Sequence, residues 1–333
     1  MIITDRLNLN LEFGKFVKID YQVLDEICDF MRKEKIFKTY RPYSWDDTRF
    51  WLENNKGRRE VSQYFTVGNA INFRFWWKEQ DGRIAFCEGV KGGIKVNGAL
   101  YMWRSLKICY NKEEFPILDA DKISKISISD FKKIFQDDNG NIQIPSCEER
   151  VKNWRDLGKK LREYWGGEFY NLLKETKNSL YNFIQYSRQF RAFDDPLCKM
   201  TMVNAILHQG RGLIKFKETI FPGIDYQLIK QQLRMGVLVP KGNVKNKLMN
   251  EEFLSKNEAR ELRNACLKSF IYIMKKTRIP GDLIDNKWWF NRKNCKDENP
   301  VCKNNKTVHL CLFSRVCRKK TQFKRPLENT RYY

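Results

Sequence analysis

Apolar residues recur at intervals of three and four along most of this chain, the spacing that gathers them on one face of a helix. Val23, Leu24, Ile27, Phe30 and Met31 predict a helix within residues 21–37. Val151, Trp154, Leu157, Leu161 and Tyr164 predict another over 148–165, ended by Gly166-Gly167. Further helices are expected over 99–110, 130–136 with Ser127 or Ser129 as cap, 169–186, 199–214, 226–235 and 257–276. Residues 63–77, QYFTVGNAINFRFWW, are dense in aromatic and β-branched side chains and read either as a strand or as a buried helix. Gly92-Gly93 predicts a turn before a short strand at 94–96. The expected fold is mostly α, with a minor β element near residues 63–100.

Composition narrows the class. With 333 residues, 42% hydrophobic and 14% aromatic, the chain has the makings of a globular core. It has no apolar run of 18 residues and no apolar leader near the start, so neither a membrane span nor a secretory signal is expected. The net charge of +23 points to polyanionic partners, nucleotides or nucleic acid. Ten cysteines without a signal peptide point to reduced thiols inside the cell, in the cytoplasm or the nucleus.

Three constellations could carry chemistry. The first is Phe221-Pro222-Gly223-Ile224-Asp225-Tyr226, a tight turn with a helix starting at Asp225. Asp225 reads as a helix cap and also as a carboxylate held at the mouth of a pocket. The second is Asp285 ahead of Trp288 and Trp289: a cap followed by core tryptophans, or a carboxylate and aromatic planes that recognise a base. Two carboxylates on separate elements suit cleavage of an N-glycosidic bond, one facing the positive charge that builds on the ribose and the other gripping the leaving base. The third is Cys295, Cys302, Cys311 and Cys317, four thiols that could hold zinc or a four-iron, four-sulfur cluster. The chain has only two histidines. His208 is expected at a helix C-terminus or on the surface, and His309 is a candidate substitute ligand in the cysteine loop. There is no phosphate-binding P-loop and no dinucleotide-binding glycine fingerprint.

Several segments in order resemble the queuosine salvage family, the queuosine 5'-phosphate N-glycosylases. They are Asn69 to Trp76, Gly98 to Pro116, Glu148-Glu149-Arg150, Gly166-Gly167-Glu168-Phe169, Ile224-Asp225-Tyr226-Gln227, Glu261-Leu262-Arg263, Ile284-Asp285 and Arg331-Tyr332-Tyr333. The resemblance implies a helical fold distantly like helix-hairpin-helix DNA glycosylases. It implies an N-terminal α/β part of the pocket in residues 1–125 and a glycosylase-like helical part in 126–333, forming one compact unit. The implied reaction is hydrolytic release of queuine, or another 7-deazaguanine base, from a nucleoside 5'-phosphate, with no cofactor required. Asp225 would be the catalytic carboxylate. Asp285 and Asn286 would contact the base, with Trp288 or Phe75 stacking on it and Asn72 lining the site. Lys199 and Arg331 would hold the phosphate.

This chain departs from the family pattern in four places. No histidine lies in residues 38–45, Asn69 replaces an aspartate, Asn286 a tyrosine and Phe290 an acid. The cysteine loop is similar to the iron–sulfur loop of DNA glycosylases, although its middle gap is eight residues instead of two. Two alternatives follow: a helix-hairpin-helix DNA glycosylase with an iron–sulfur cluster, and a nucleic-acid-binding protein without enzymatic activity.

Overall fold

The computed structural model describes residues 6–7, 9–38, 43–113, 115–330 and 332. In chain order the elements are β1 (Val17–Ile19), α1 (Tyr21–Lys33), α2 (Lys35–Lys38), α3 (Arg58–Asn69), β2 (Trp76–Lys78), β3 (Ile84–Phe86), β4 (Glu88–Lys91), β5 (Ile94–Asn97), α4 (Gly98–Lys112), α5 (Ala120–Ser124), α6 (Ile128–Ile134) and α7 (Cys147–Trp165). They continue with α8 (Phe169–Glu175), α9 (Leu180–Ser187), α10 (Lys199–Gly210), α11 (Tyr226–Met235), β6 (Leu238–Pro240), α12 (Gly242–Asn250), α13 (Lys256–Thr277) and α14 (Gly281–Asn291). The fold is mostly α with short strands, as expected. Among the described residues no helix is long and apolar enough to cross a membrane.

The chain divides into two units, one of residues 1–43 and 219–331, the other of 44–218. These limits differ from the expected division at residue 125, because the chain leaves the first unit after α2 and returns to it before α11.

In the second unit the ambiguous stretch resolves. Every residue from Val61 to Asn69 is buried, so beyond its exposed first turn α3 has no solvent face and leaves no helical period in its sequence. Strand structure starts only at Trp76, in the antiparallel pairs β2–β3 and β4–β5. A methyl group on Gly68 would lie 2.1 Å from the Trp103 ring, so the glycine lets α4 pack directly on α3. Helix α7 then clamps the segment after α3: Trp154 Nε1 donates to Val67 O (2.8 Å), Asn153 Nδ2 to Ala70 O (2.9 Å) and Arg150 to the carbonyls of Ile71, Phe73 and Arg74. The helix expected over 169–186 is two helices. Lys177 and Asn178 adopt positive φ, and the Ser179 hydroxyl caps α9 at the Asn182 amide.

In the first unit β1 pairs antiparallel with β6, Val17 facing Pro240. The Glu261 carboxylate on α13 accepts the backbone N–H groups of Gly14 (2.8 Å), Phe16 (2.6 Å) and Val17 (2.9 Å). Ser255 and Glu258 close a capping box at the start of α13.

Candidate active site

The site builds around the turn that enters α11. Phe221, Pro222, Gly223 and Ile224 are buried, and Asp225 emerges half-buried at the end of the turn. Asp225 is the cap of α11: its Oδ1 accepts from the amides of Gln227 (2.8 Å) and Leu228 (2.9 Å). Two N–H donors and the positive end of the helix favour the ionised carboxylate. Its charge also adds to burial in pushing the Cys266 thiol on α13 well above its ordinary range.

Asp285 sits on α14, buried, and its Oδ2 accepts the backbone N–H of Gly223 at 2.9 Å. One hydrogen bond thus fastens the second acid to the turn that carries the first. The close approach of α14 depends on Gly281: a methyl group there would meet Ile220 O at 2.2 Å. Behind the acids, Gln231 of α11 donates to Trp288 O (2.9 Å) and accepts from Asn291 Nδ2 (3.0 Å), locking α11 to α14.

The other expected residues separate into groups. Asn286 is buried on the same helix as Asp285. Trp288 is a core side chain, 1% exposed, with Phe313 and Phe270 at ring-centroid distances of 4.1 and 5.4 Å. Its rings are occupied by neighbours, so it offers no open face for stacking on a base. Its neighbour Trp289 is only half-buried and carries the guanidinium of Arg292 at 3.3 Å from its ring centre. Desolvation lowers Arg292 to about 10, opposed by the nearby Asp225 and Tyr226. Arg292 was missed in the sequence, where it is one cation among many.

In the second unit Lys199 Nζ donates to Asn72 O (2.7 Å), so these two expected residues do meet, and Asn69 Nδ2 donates to Met200 O (2.6 Å). Phe75 is buried, 5.0 Å from the Arg150 guanidinium. Arg331 lies outside the described residues. His208 is in the last turn of α10, as expected, but it is fully buried and not at the surface. Its ring bridges Ser62 Oγ (2.9 Å) and Asn204 O (2.8 Å), and burial lowers its pKa to about 4. It is a neutral core residue.

The cysteine loop hangs on Arg234, a buried residue of α11. Its guanidinium donates to the carbonyls of Phe323 (2.8 Å), Lys296 (2.5 Å) and Cys295 (3.3 Å). Asp297 beside it accepts from Lys230 (3.4 Å) and Arg325, and burial lowers Lys230 to about 8. Burial pushes the Cys317 thiol up to about 12 and raises Cys311 as well. Among the described residues, no three His, Cys, Asp or Glu side chains are gathered in a way that could hold a metal ion. Cys295, Cys302 and Cys311 lie near enough to Cys317 for their charges to add to burial in raising its thiol.

A mostly α protein with two aspartates tied to one helix-entry turn is the class that fold and site define. The family model described as queuosine salvage protein matches residues 52–203. A queuosine 5'-phosphate N-glycosylase/hydrolase from Sphaerobacter thermophilus is 28% identical over 159 residues, 48% of this chain and 44% of that protein. Proteins of the same name from Dictyostelium discoideum and Mus musculus are 25% and 22% identical, covering 71% and 58% of this chain and 74% and 61% of their own lengths. The chain is thus similar to queuosine salvage proteins, and it spans less than half the length of the Sphaerobacter protein and about three-quarters of the Dictyostelium one. Among solved structures it is similar to an 8-oxoguanine DNA glycosylase from Pyrobaculum aerophilum in complex with 8-oxoguanosine, with a TM-score of 0.47 and 14% identity over 83% of this chain and 90% of that one.

Proposed function

We propose that the protein is an N-glycosidase that hydrolyses the bond between a modified purine-like base, queuine or another 7-deazaguanine, and the ribose of a nucleoside 5'-phosphate. The carrying observation is the hydrogen bond from Gly223 N–H to Asp285, which ties one acid to the turn that presents the other, Asp225. In this reading water adds to the anomeric carbon, the carbon–nitrogen bond breaks, and the base leaves carrying a proton. Asp225 faces the positive charge that develops on the ribose, held in place by the two amides it caps at the start of α11. Asp285 accepts hydrogen bonds from the N–H groups of the base, with Asn286 beside it. Trp288 is core, and one face of the half-buried Trp289 is covered by the Arg292 guanidinium, so a base would stack on the opposite face of Trp289. The roles of Asn72, Phe75, Lys199 and Arg331 in holding the nucleotide and its phosphate rest on the family resemblance.

The reaction needs no cofactor, since two carboxylates and water supply every proton and charge it moves. Ten free cysteines support an intracellular, reducing setting, and the +23 charge supports contact with nucleotides or nucleic acid.

The test is incubation with queuosine 5'-monophosphate and mass spectrometry of the free base, with the metal content of the protein recorded. Base release by metal-free protein is expected. Asp225→Asn should lower it by about a thousandfold or more, while melting stays unchanged because asparagine caps a helix as well as aspartate. Retained turnover in that variant would overturn the assignment. Release of a base only from duplex DNA, by iron-loaded protein, would favour the DNA glycosylase. No release at all would leave a binding protein.

A further inference from the structure

The positive charge of the chain is unevenly distributed. Residues 292–325 hold eleven lysines and arginines against two acids. Elsewhere some exposed cations are paired, Lys95 with Glu88 (2.9 Å), Lys125 with Asp121 (3.0 Å) and Lys152 with Glu149 (3.1 Å), and the others are spread over several elements. In the loop, Arg315 reaches Glu34, the C-cap of α1, and Arg318 reaches Glu26 on that helix. Lys293, Lys296, Lys303 and Lys306 are exposed, and among the described residues none has a carboxylate within 4.0 Å. The backbone beneath them is folded back on itself. Val301 N donates to Asn294 O (3.0 Å), Asn294 Nδ2 to Leu310 O (2.8 Å) and Thr307 Oγ1 to Val301 O (3.0 Å). With Arg234 gripping one end, the loop presents its lysines from a fixed platform.

We infer that the face built by residues 293–306 is a docking surface for the phosphate backbone of nucleic acid. Unpaired lysines on a fixed platform attract phosphodiesters and release their counterions on contact. The groups between the lysines decide the kind of polyanion. Asn299, Asn304 and Asn305 are exposed amides able to bond phosphate and sugar oxygens. A membrane-binding segment would instead show an apolar helical face, whereas this loop is turns and short 3₁₀ segments whose one large exposed apolar side chain is Leu310. This inference does not depend on the glycosidase reading. It adds a site for a polymer beside whatever small molecule the acids take.

The experiment is fluorescence anisotropy of a fluorescein-labelled RNA hairpin with the full chain across a salt series. The variant K293Q/K296Q/K303Q/K306Q is compared with K95Q/K125Q/K152Q, which removes paired lysines elsewhere. The loop variant should bind about tenfold to a hundredfold more weakly, and the slope of log affinity against log salt should fall in magnitude by about 3. The control variant should bind like the parent. Equal losses in both variants, or none in the loop variant, would overturn the inference. So would capture of the parent by phosphatidylserine vesicles but not by RNA. Base release from the free nucleotide should be unchanged in the loop variant. A parent that binds RNA but releases no base would sink the glycosidase reading and leave this one standing.

Discussion

The acid-bearing turn and the cysteine loop both drew attention in the sequence, and the structure orders them by different means. Asp225 and Asp285 are separated by 60 positions yet share one turn, joined through the Gly223 amide. The four cysteines belong to a loop held by Arg234, whose guanidinium donates to the carbonyls of Cys295, Lys296 and Phe323. In both regions the decisive partners lie far apart in sequence. What gathers the acids is backbone hydrogen bonding at a helix entry, and what orders the loop is an arginine that carries no motif.

The contrast can be broken at Arg234. Arg234→Gln would strip one donor from several loop carbonyls and leave Asp297 with fewer cations. A loss of about 3–5 kcal/mol is expected in urea unfolding, with faster hydrogen exchange across residues 293–323. Unchanged exchange there would mean that something other than Arg234 orders the loop.

A smaller effect sharpens the acid side. Gly281→Ala places a methyl group against Ile220 O, costs about 1–3 kcal/mol and shifts Asp285 from the turn. Base release should fall by more than the lost stability explains, seen as a drop in kcat in protein that is still folded. Full activity with a lowered melting temperature would argue that the Asp285–Gly223 bond is structural only.

The smallest effect concerns His208, which belongs to neither region. Its folded pKa of about 4 lies below the unfolded value of about 6.5, so between those values the unfolded state binds the extra proton. Stability is then lost as pH falls. From pH 7 to pH 5 the loss from this group is about 2 kcal/mol, and His208→Gln should flatten that part of the profile in urea titrations. An unaltered profile would show that other groups carry the acid sensitivity.

Local features were legible in the sequence. Helix α11 begins and ends at the expected residues, because Pro222, Gly223 and Asp225 act within a few positions. The α7 stripe was equally plain. Helix α3 was not, since a helix buried on all sides beyond its first turn shows no period. Trp288 and Trp289 are adjacent and look alike in sequence, yet one is core and the other half-exposed. Arg234 was invisible because the carbonyls it holds lie between 61 and 89 positions away. Such partners follow from topology and leave no local pattern.

Glu261 bears on how shorter versions of this protein are cut. One oxygen of its carboxylate accepts the amides of Gly14, Phe16 and Val17, so residues 14–17 complete the hydrogen bonding of a helix near the far end of the chain. Trimming them would leave a largely buried charge facing no donors from that segment. A reporter or affinity handle belongs ahead of that segment and never in its place.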